Sequence, residues 1–186
     1  MKKAIFIAIL AALLPATNYA ALTSEQSRLL TNTINEVRYY KTASQNMMTP
    51  EDMADFAYAT GNPDNIGETL RAIVYLESTF GRGGRVGDKG DSLGCTQIKV
   101  ETARYVLENI LDMKQELTDA DISKLYVYND KLAIILSKEY LLYLMERFKN
   151  KRANWSHSVL GYNRGPSAVS KDGLKRDPNN YVTKAK

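Results

Sequence analysis

One carboxylic acid stands where a helical pattern of apolar residues meets a glycine-rich segment. Glu77 lies near the end of that pattern, and the segment GRGGRVGDKGDSLG begins four residues later, at Gly81. A carboxyl group at a helix end that faces a cleft is partly desolvated, which favours its protonated form. Such a group can protonate the departing oxygen of a glycosidic bond. Taken alone, the spacing fits a solvated glutamate on a helix surface better than a catalytic one.

The other reactive residue types favour few alternative sites. Cys95 is the only cysteine, so it cannot form an intramolecular disulfide, and we expect it to be a small buried residue. His157 is the only histidine, which leaves no paired motif at metal-ligand spacing and no visible Ser/His/Asp or Cys/His arrangement. The sequence therefore predicts neither a metal site nor a cofactor.

Helices are the elements that would position these residues. Apolar residues mostly recur at helical spacing, and no stretch alternates cleanly as a strand would. A fresh helix start is predicted at Thr49, a capping residue followed by Pro50 and two acids. The fold class predicted is all-α, with helices at residues 22–48, from 49 to a break at 61–64, at about 66–79 and 99–111, from about 119, and at 129–148.

Two stretches depart from the amphipathic pattern. Residues 81–94 contain six glycines among polar and charged residues, which predicts a loop without a regular core face. Residues 129–148 form the most apolar stretch beyond the N-terminus and reach the length of a membrane span. Because charged residues interrupt that stretch, among them Lys131, Lys138, Glu139, Glu146 and Arg147, we expect a central buried helix and not a membrane helix.

Composition favours one globular domain. A chain of 186 residues with 44% hydrophobic and 25% charged residues fits a single compact core. The formal charge is +4, and Lys2 and Lys3 supply two of those charges, so the rest of the chain carries +4 minus 2, or +2. This is too small a charge to indicate a nucleic-acid partner, which needs a clustered basic face.

The N-terminus is typical of a secretory signal peptide. Two lysines precede an apolar run over residues 4–14, followed by Pro15 and a small or polar stretch that ends at Ala21. We predict a signal peptide at residues 1–21, a single catalytic domain at residues 22–186, and a periplasmic or secreted protein without a stable membrane span after cleavage. An uncleaved, membrane-tethered form is the alternative, since Asn18 and Tyr19 suit a cleavage site poorly.

Four short segments resemble, in the same order, the motifs of one family of cell-wall enzymes. Glu77–Phe80 matches Glu-Ser-x-Phe, and Ser92–Ile98 matches Ser-x-Gly-x-x-Gln-Ile. Gly161–Pro166 is similar to Ala-Tyr-Asn-Ala-Gly-Pro, and Tyr181–Lys184 is similar to Tyr-Val-x-Lys. The chain therefore resembles the soluble lytic transglycosylase family, which is related in fold to goose-type lysozyme.

This resemblance implies a lysozyme-like helical domain in which the glycine-rich segment is an active-site loop. It implies that Glu77 is the single catalytic acid and base, with Tyr162 and Tyr181 close to its carboxyl group. Contacts that hold or line the substrate cleft are implied for Ser78, Ser92, Gln97, Tyr162, Asn163 and Tyr181.

The sequence departs from the family motifs at several positions. Cys95 and Thr96 replace the usual Leu-Met of the second motif, which alters the lining of the sugar pocket or its support. Gly161 and Arg164 replace alanines of the third motif. These changes affect fine substrate contacts more than the resemblance itself.

The implied reaction is cleavage of the β-1,4 bond between N-acetylmuramic acid and N-acetylglucosamine in peptidoglycan. Attack by the muramic C6 hydroxyl would form a 1,6-anhydro ring, which needs only one protein carboxylate because the substrate N-acetyl group assists. Asp88 and Asp91 leave a hydrolytic alternative open, since goose-type lysozymes use aspartates after the glutamate to position water. Solvated turn residues are the simpler interpretation of both.

Partners are implied only in class. Small exported members of this family accompany secretion, pilus and conjugation machines, and phages carry relatives, so the expected substrate is peptidoglycan and a further partner could be such an apparatus. A glycan-binding or assembly protein that has lost activity is the alternative from another class. The glutamate retained at position 77 argues against it.

Overall fold

The computed structural model describes residues 22–35, 47–87, 90–113, 117–175, 177 and 180–186. The signal peptide predicted at residues 1–21 lies outside the described residues, as does the 36–46 part of the predicted opening helix. These two predictions therefore stay predictions.

Helices make up most of the described residues, as the sequence predicts. Most of their bounds fall within two residues of the expected positions, and the predicted 99–111 helix divides into an α-helix and a π-helical segment at Val106–Ile110. The α-helices are α1 (Ser24–Asn35), α2 (Pro50–Gly61), α3 (Gly67–Ser78), α4 (Val100–Tyr105), α5 (Asp119–Tyr128), α6 (Asp130–Arg147), α7 (Asn154–Arg164), α8 (Pro166–Asp172) and α9 (Tyr181–Lys184).

A small antiparallel sheet occupies part of the segment that was predicted to be a loop. It consists of β1 (Val86–Gly87), β2 (Ser92–Leu93) and β3 (Ile98–Lys99) in that order. Both residues of β2 are buried, so the prediction of a loop without a core face is wrong here. Two-residue strands are too short to show the alternation by which a strand is recognised in a sequence.

The start of α2 follows the prediction closely. The hydroxyl oxygen of Thr49 accepts a hydrogen bond from the Asp52 N–H at 3.1 Å, and Pro50 is the first helical residue. A Pro is tolerated there because its missing N–H would have no helical partner. The helix ends at the predicted break, where a 3₁₀ turn at Asn62–Asp64 leads into α3, and α3 packs against α2.

The central helix is α6, as the apolar pattern predicts. Most of its residues are buried, and it packs against α2, α3, α5 and α7. A helix that is apolar on most sides belongs in the interior of a protein. Within the described ranges, no helix combines the length and the apolar character that crossing a membrane requires.

A second, smaller cluster fixes the C-terminus beside α3. Val159 of α7, Tyr181 of α9 and Ala185 form its buried centre, and Ala72 and Leu76 of α3 pack against it. Ala72 and Leu76 are four residues apart and therefore share one face of α3. This packing brings the final helix next to the end of α3, where Glu77 lies.

Candidate active site

Glu77 is the penultimate residue of α3 and is half-buried. The helix stops because Thr79 and Phe80 both adopt left-handed backbone conformations, with φ angles of 50° and 53°. Such a conformation costs about 1–2 kcal/mol for a residue with a side chain, and Gly81 continues the turn with φ of 79°. The chain thus turns sharply within four residues of Glu77.

Ser78 ties this helix end to the small sheet. Its buried hydroxyl donates to the Cys95 carbonyl oxygen at 2.7 Å and accepts a hydrogen bond from the Gly81 N–H at 2.8 Å. A buried hydroxyl that both donates and accepts is well satisfied and fixes its neighbours. Through these two hydrogen bonds, Ser78 fixes the end of α3, where the neighbouring Glu77 lies.

Tyr181 contacts Glu77 directly. Its hydroxyl donates a hydrogen bond to Glu77 Oε1 over 2.6 Å. Burial raises the pKa of Tyr181 well above its ordinary value, and the neighbouring Glu77 raises that pKa further. The phenol therefore keeps its proton and acts as a donor to the carboxylate throughout the ordinary pH range.

Tyr162 is close enough for the charge of Glu77 to affect its pKa, but its hydroxyl binds groups other than Glu77. That hydroxyl is 3.1 Å from the Thr96 carbonyl oxygen and 2.9 Å from Ser137 Oγ. A carbonyl can only accept and the phenol has one proton, so the two bonds coexist only if Tyr162 donates to Thr96 and Ser137 donates to Tyr162. Burial raises the pKa of Tyr162, and the charge of Glu77 also raises it.

Three hydrogen bonds connect all four sequence segments singled out above. Ser78 of the first binds Cys95 of the second, Tyr162 of the third binds Thr96 of the second, and Tyr181 of the fourth binds Glu77. Cys95 and Thr96 are fully buried, and it is their backbone carbonyls that hold the two side chains. The departure from Leu-Met therefore falls on the support of the site and not on its exposed lining.

The other predicted site residues lie apart from this cluster or are occupied elsewhere. Gln97 is half-buried, and its amide donates to the Gly94 carbonyl at 2.8 Å while its Oε1 lies against Gly87. Ser92 is buried within β2, and Asn163 is exposed on α7. Of the two aspartates, Asp91 is exposed and Asp88 lies outside the described residues.

Two contributors were missed from the sequence. Ser137 is buried on α6, and its hydroxyl holds Tyr162; a single serine in an apolar helix gives no signal of this. Arg85 forms an ion pair with Asp130, the first residue of α6. The sequence did hold a signal for this pair: an acid stands at the start of an apolar helix, and an arginine stands in the glycine-rich segment.

Cys95 and His157, the other reactive residues considered from the sequence, are buried or bound to the backbone of their own helix. Cys95 is fully buried, as predicted, and burial raises the pKa of its thiol. Nδ1 of His157 lies 2.7 Å from the Ala153 carbonyl oxygen one turn earlier. In the part of the chain that the structure describes, no three His, Cys, Asp or Glu residues are grouped so as to hold a metal ion.

A scan against profiles of known protein families finds no family that matches the chain, and no curated protein sequence matches it. We therefore infer function from the geometry around Glu77 and from the resemblance of the four segments.

Proposed function

We propose that this protein is a peptidoglycan lytic transglycosylase with a lysozyme-like helical domain. It cleaves the β-1,4 bond between N-acetylmuramic acid and N-acetylglucosamine, and Glu77 is its catalytic acid and base. The glycine-rich segment with its small sheet forms one wall of the substrate cleft, and no cofactor takes part.

The observation that carries the proposal is the 2.6 Å hydrogen bond between Tyr181 and Glu77. It joins the first and last of the four segments across 104 residues of sequence. Side chains that the resemblance groups around one carboxyl group are thus neighbours in the fold. Surface glutamates, by contrast, seldom have a buried tyrosine as a dedicated donor.

The first step uses the protonated form of Glu77. Its proton passes to the glycosidic oxygen as the C1–O bond of the muramic residue breaks, so that N-acetylglucosamine leaves with a hydroxyl group. Positive charge develops at C1, and the substrate N-acetyl group stabilises it, which removes the need for a second protein carboxylate. Tyr181 stabilises the carboxylate that this step leaves on Glu77.

The second step returns the proton. The ionised Glu77 removes the proton of the muramic C6 hydroxyl, and the oxygen attacks C1 to close the 1,6-anhydro ring. An intramolecular nucleophile has a high effective concentration and outcompetes water. The catalyst ends in its starting protonation state, and no water is consumed.

The backbone around Glu77 supports a functional interpretation of this turn. Thr79 and Phe80 are successive left-handed residues without being glycine, and Gln97, next to Thr96 in the second segment, has a φ of 47°. Strained residues of this kind persist only where the surrounding structure holds them, and they concentrate at active sites. Ser78 supplies that restraint on the Glu77 side through its bonds to Cys95 and Gly81.

The biological setting follows from the same proposal. An exported enzyme with one small domain opens local gaps in the cell wall, in the periplasm or outside the cell. A secretion, pilus, conjugation or phage apparatus would direct it to its site, as the family resemblance implies.

Digestion of purified peptidoglycan, followed by mass spectrometry of the muropeptides, tests the proposal. Wild type yields products that end in 1,6-anhydromuramic acid, and Glu77→Gln yields none. Glu68→Gln is the matched control, because Glu68 is an exposed glutamate on the same helix and its loss leaves cleavage intact. Reducing muramic ends would instead indicate a hydrolase, and absence of cleavage would indicate a binding protein.

A further inference from the structure

A buried ion pair joins the glycine-rich segment to the start of α6. Arg85 Nη2 donates to Asp130 Oδ2 at 2.9 Å, and Arg85 Nη1 contacts the second carboxylate oxygen, Oδ1. Asp130 is fully buried and also accepts a hydrogen bond from the Met48 N–H at 2.8 Å. Two parallel bonds between a guanidinium and a carboxylate fix the orientation of both groups.

Arg85 also touches the turn that follows Glu77. A Cβ atom added to Gly81 would lie 3.2 Å from Arg85 Nη2, so the guanidinium packs directly against that glycine. The Gly81 N–H in turn donates to Ser78 Oγ. The Arg85 guanidinium therefore contacts Gly81, whose N–H donates a hydrogen bond to Ser78.

The backbone of Arg85 also affects the second partner of Ser78, the Cys95 carbonyl, through a bond to the preceding residue, Gly94. Its carbonyl oxygen accepts a hydrogen bond from the Gly94 N–H at 2.8 Å. The next residue, Cys95, provides the carbonyl that Ser78 binds. Two of the three hydrogen-bond partners of the Ser78 hydroxyl, Gly81 and Cys95, thus depend on where Arg85 is held, and the third is the Val74 carbonyl within α3.

We propose that Arg85, oriented by Asp130, is a positioning residue for Glu77. It fixes the Gly81 turn and the Gly94–Cys95 backbone, and these two hold Ser78 and the strained end of α3. The catalytic consequence rests on the function proposed above for Glu77. Displacing a catalytic group by about 1 Å costs on the order of 100-fold in rate, so a holding pair of this kind affects turnover without touching substrate.

Arg85→Met and Arg71→Met form a matched pair of variants for the test. Arg71 lies on α3, outside the glycine-rich segment, and its ion pair with Glu68 is exposed. We expect Arg85→Met to lower kcat on soluble glycan strands by about 10- to 100-fold with little change in KM. We expect Arg71→Met to behave as wild type and Arg85→Lys, which keeps the charge but not the fork, to fall between them.

The assay temperature and one further measurement separate a positioning role of Arg85 from general destabilisation of the protein. All assays are run well below the Tm of each variant, where loss of stability alone leaves kcat unchanged. Amide hydrogen exchange at Gly81 and Gly94 is expected to accelerate by about tenfold or more in Arg85→Met and not in Arg71→Met. Should Arg85→Met fail to fold, Arg85→Lys carries the same comparison.

Each outcome bears on a different claim. An active wild type whose kcat is unchanged in Arg85→Met would overturn the positioning role, and so would unchanged exchange at both glycine amides. A wild type that does not cleave peptidoglycan would overturn the proposed function instead. Exchange at Gly81 and Gly94 then still decides whether Arg85 holds the turn.

Discussion

At the scale of single residues, the carboxyl group of Glu77 accepts a hydrogen bond from Tyr181, a residue near the far end of the chain. The Tyr181 hydroxyl donates a hydrogen bond to Glu77 Oε1 over 2.6 Å, and such a bond is stronger when its acceptor is ionised. Such a bond stabilises the carboxylate that forms once the proton has left. Tyr162 cannot take over this task while its single proton is engaged by the Thr96 carbonyl.

Replacing Tyr181 by Phe removes this bond and keeps the packing of the ring. Hydrogen bonds to charged groups contribute about 1.5–3 kcal/mol, so we expect kcat to fall about 10- to 100-fold. The measurement is turnover of soluble glycan strands. Tyr128→Phe is the control, because Tyr128 is exposed on α5 and belongs to none of the four segments, and its activity is expected to match wild type. Equal activity of the two variants would remove Tyr181 from the mechanism.

The strain at Thr79 gives a prediction about stability. Thr79 is exposed and left-handed, so replacing it by Gly removes a penalty of about 1–2 kcal/mol and adds about 0.5–1 kcal/mol of unfolded-state entropy. We expect a net gain of about 0.5–1 kcal/mol in the free energy of unfolding, measured with urea. Thr31→Gly in the right-handed helix α1 should instead lose a fraction of a kcal/mol. Equal losses in both would contradict the strain.

At the scale of elements, the small sheet and its turns form the support of the site. The segment from Arg85 to Gln97 supplies the carbonyls that bind Ser78 and Tyr162, and it approaches α5 closely. Its glycines are not equivalent. Gly94 has a φ of 68° and lies against the carbonyl oxygen of Tyr126, whereas Gly90 has a φ of 108° and a Cβ added there would meet no atom of the described residues within 4 Å.

Gly94→Ala and Gly90→Ala separate these two situations. Both substitutions strain the backbone, by about 1–2 kcal/mol in the left-handed region at Gly94 and by about 1–3 kcal/mol at the larger φ of Gly90. The Gly94 variant must also displace the Tyr126 carbonyl, which adds about 1–3 kcal/mol of overpacking. We expect urea unfolding to show the larger loss for Gly94→Ala, together with a loss of activity. Similar stabilities of the two variants would mean that the close approach does not matter.

The elements also mark how far the sequence alone could lead. The start of α2 was predictable because Thr49 and Pro50 act locally, and α6 because its apolar run is long. The strand pairing of Ser92 was not predictable, because two-residue strands show no alternation in the sequence. The contact of Ser137 with Tyr162 was not predictable either, because the two residues are 25 positions apart in the chain. The proximity of Tyr181 to Glu77 was expected only through the family resemblance.

At the scale of the whole molecule, α6 carries charged groups into the core. Lys138 Nζ lies 2.9 Å from Asp64 Oδ2 and 3.3 Å from Glu139 Oε1. Glu139 is fully buried, and the lysine is within ion-pair distance without meeting hydrogen-bond geometry at either carboxylate oxygen. Burial raises the pKa of Glu139, and Lys138 only partly reverses this. Burial lowers the pKa of Lys138, but the two acids together raise it by more.

This cluster predicts how stability depends on pH. Because the folded state raises the pKa of Glu139, its contribution is fully present below the unfolded-state pKa and is lost as pH rises through the folded-state value. Glu139→Gln cannot titrate, so its stability relative to wild type should increase from about pH 4 to about pH 8, below the titration of lysine. Urea unfolding at several pH values measures this.

Glu146→Gln is the control for that series. Glu146 pairs with Lys149 near the surface at the end of the same helix, and such a pair contributes at most about 1 kcal/mol, so its replacement should change the free energy of unfolding by less than that at each pH. A constant difference for Glu139→Gln would show that Glu139 keeps its ordinary titration in the folded protein.

Digestion of peptidoglycan in water enriched in heavy oxygen tests the central claim most directly. If Glu77 directs attack by the muramic C6 hydroxyl, the new muramic ends are 1,6-anhydro rings that carry no heavy oxygen, and Glu77→Gln produces no new ends. Heavy oxygen at the new C1 position would contradict this and identify a hydrolase, with Asp91 as the next residue to replace. Cleavage that persists in Glu77→Gln would remove Glu77 from the chemistry.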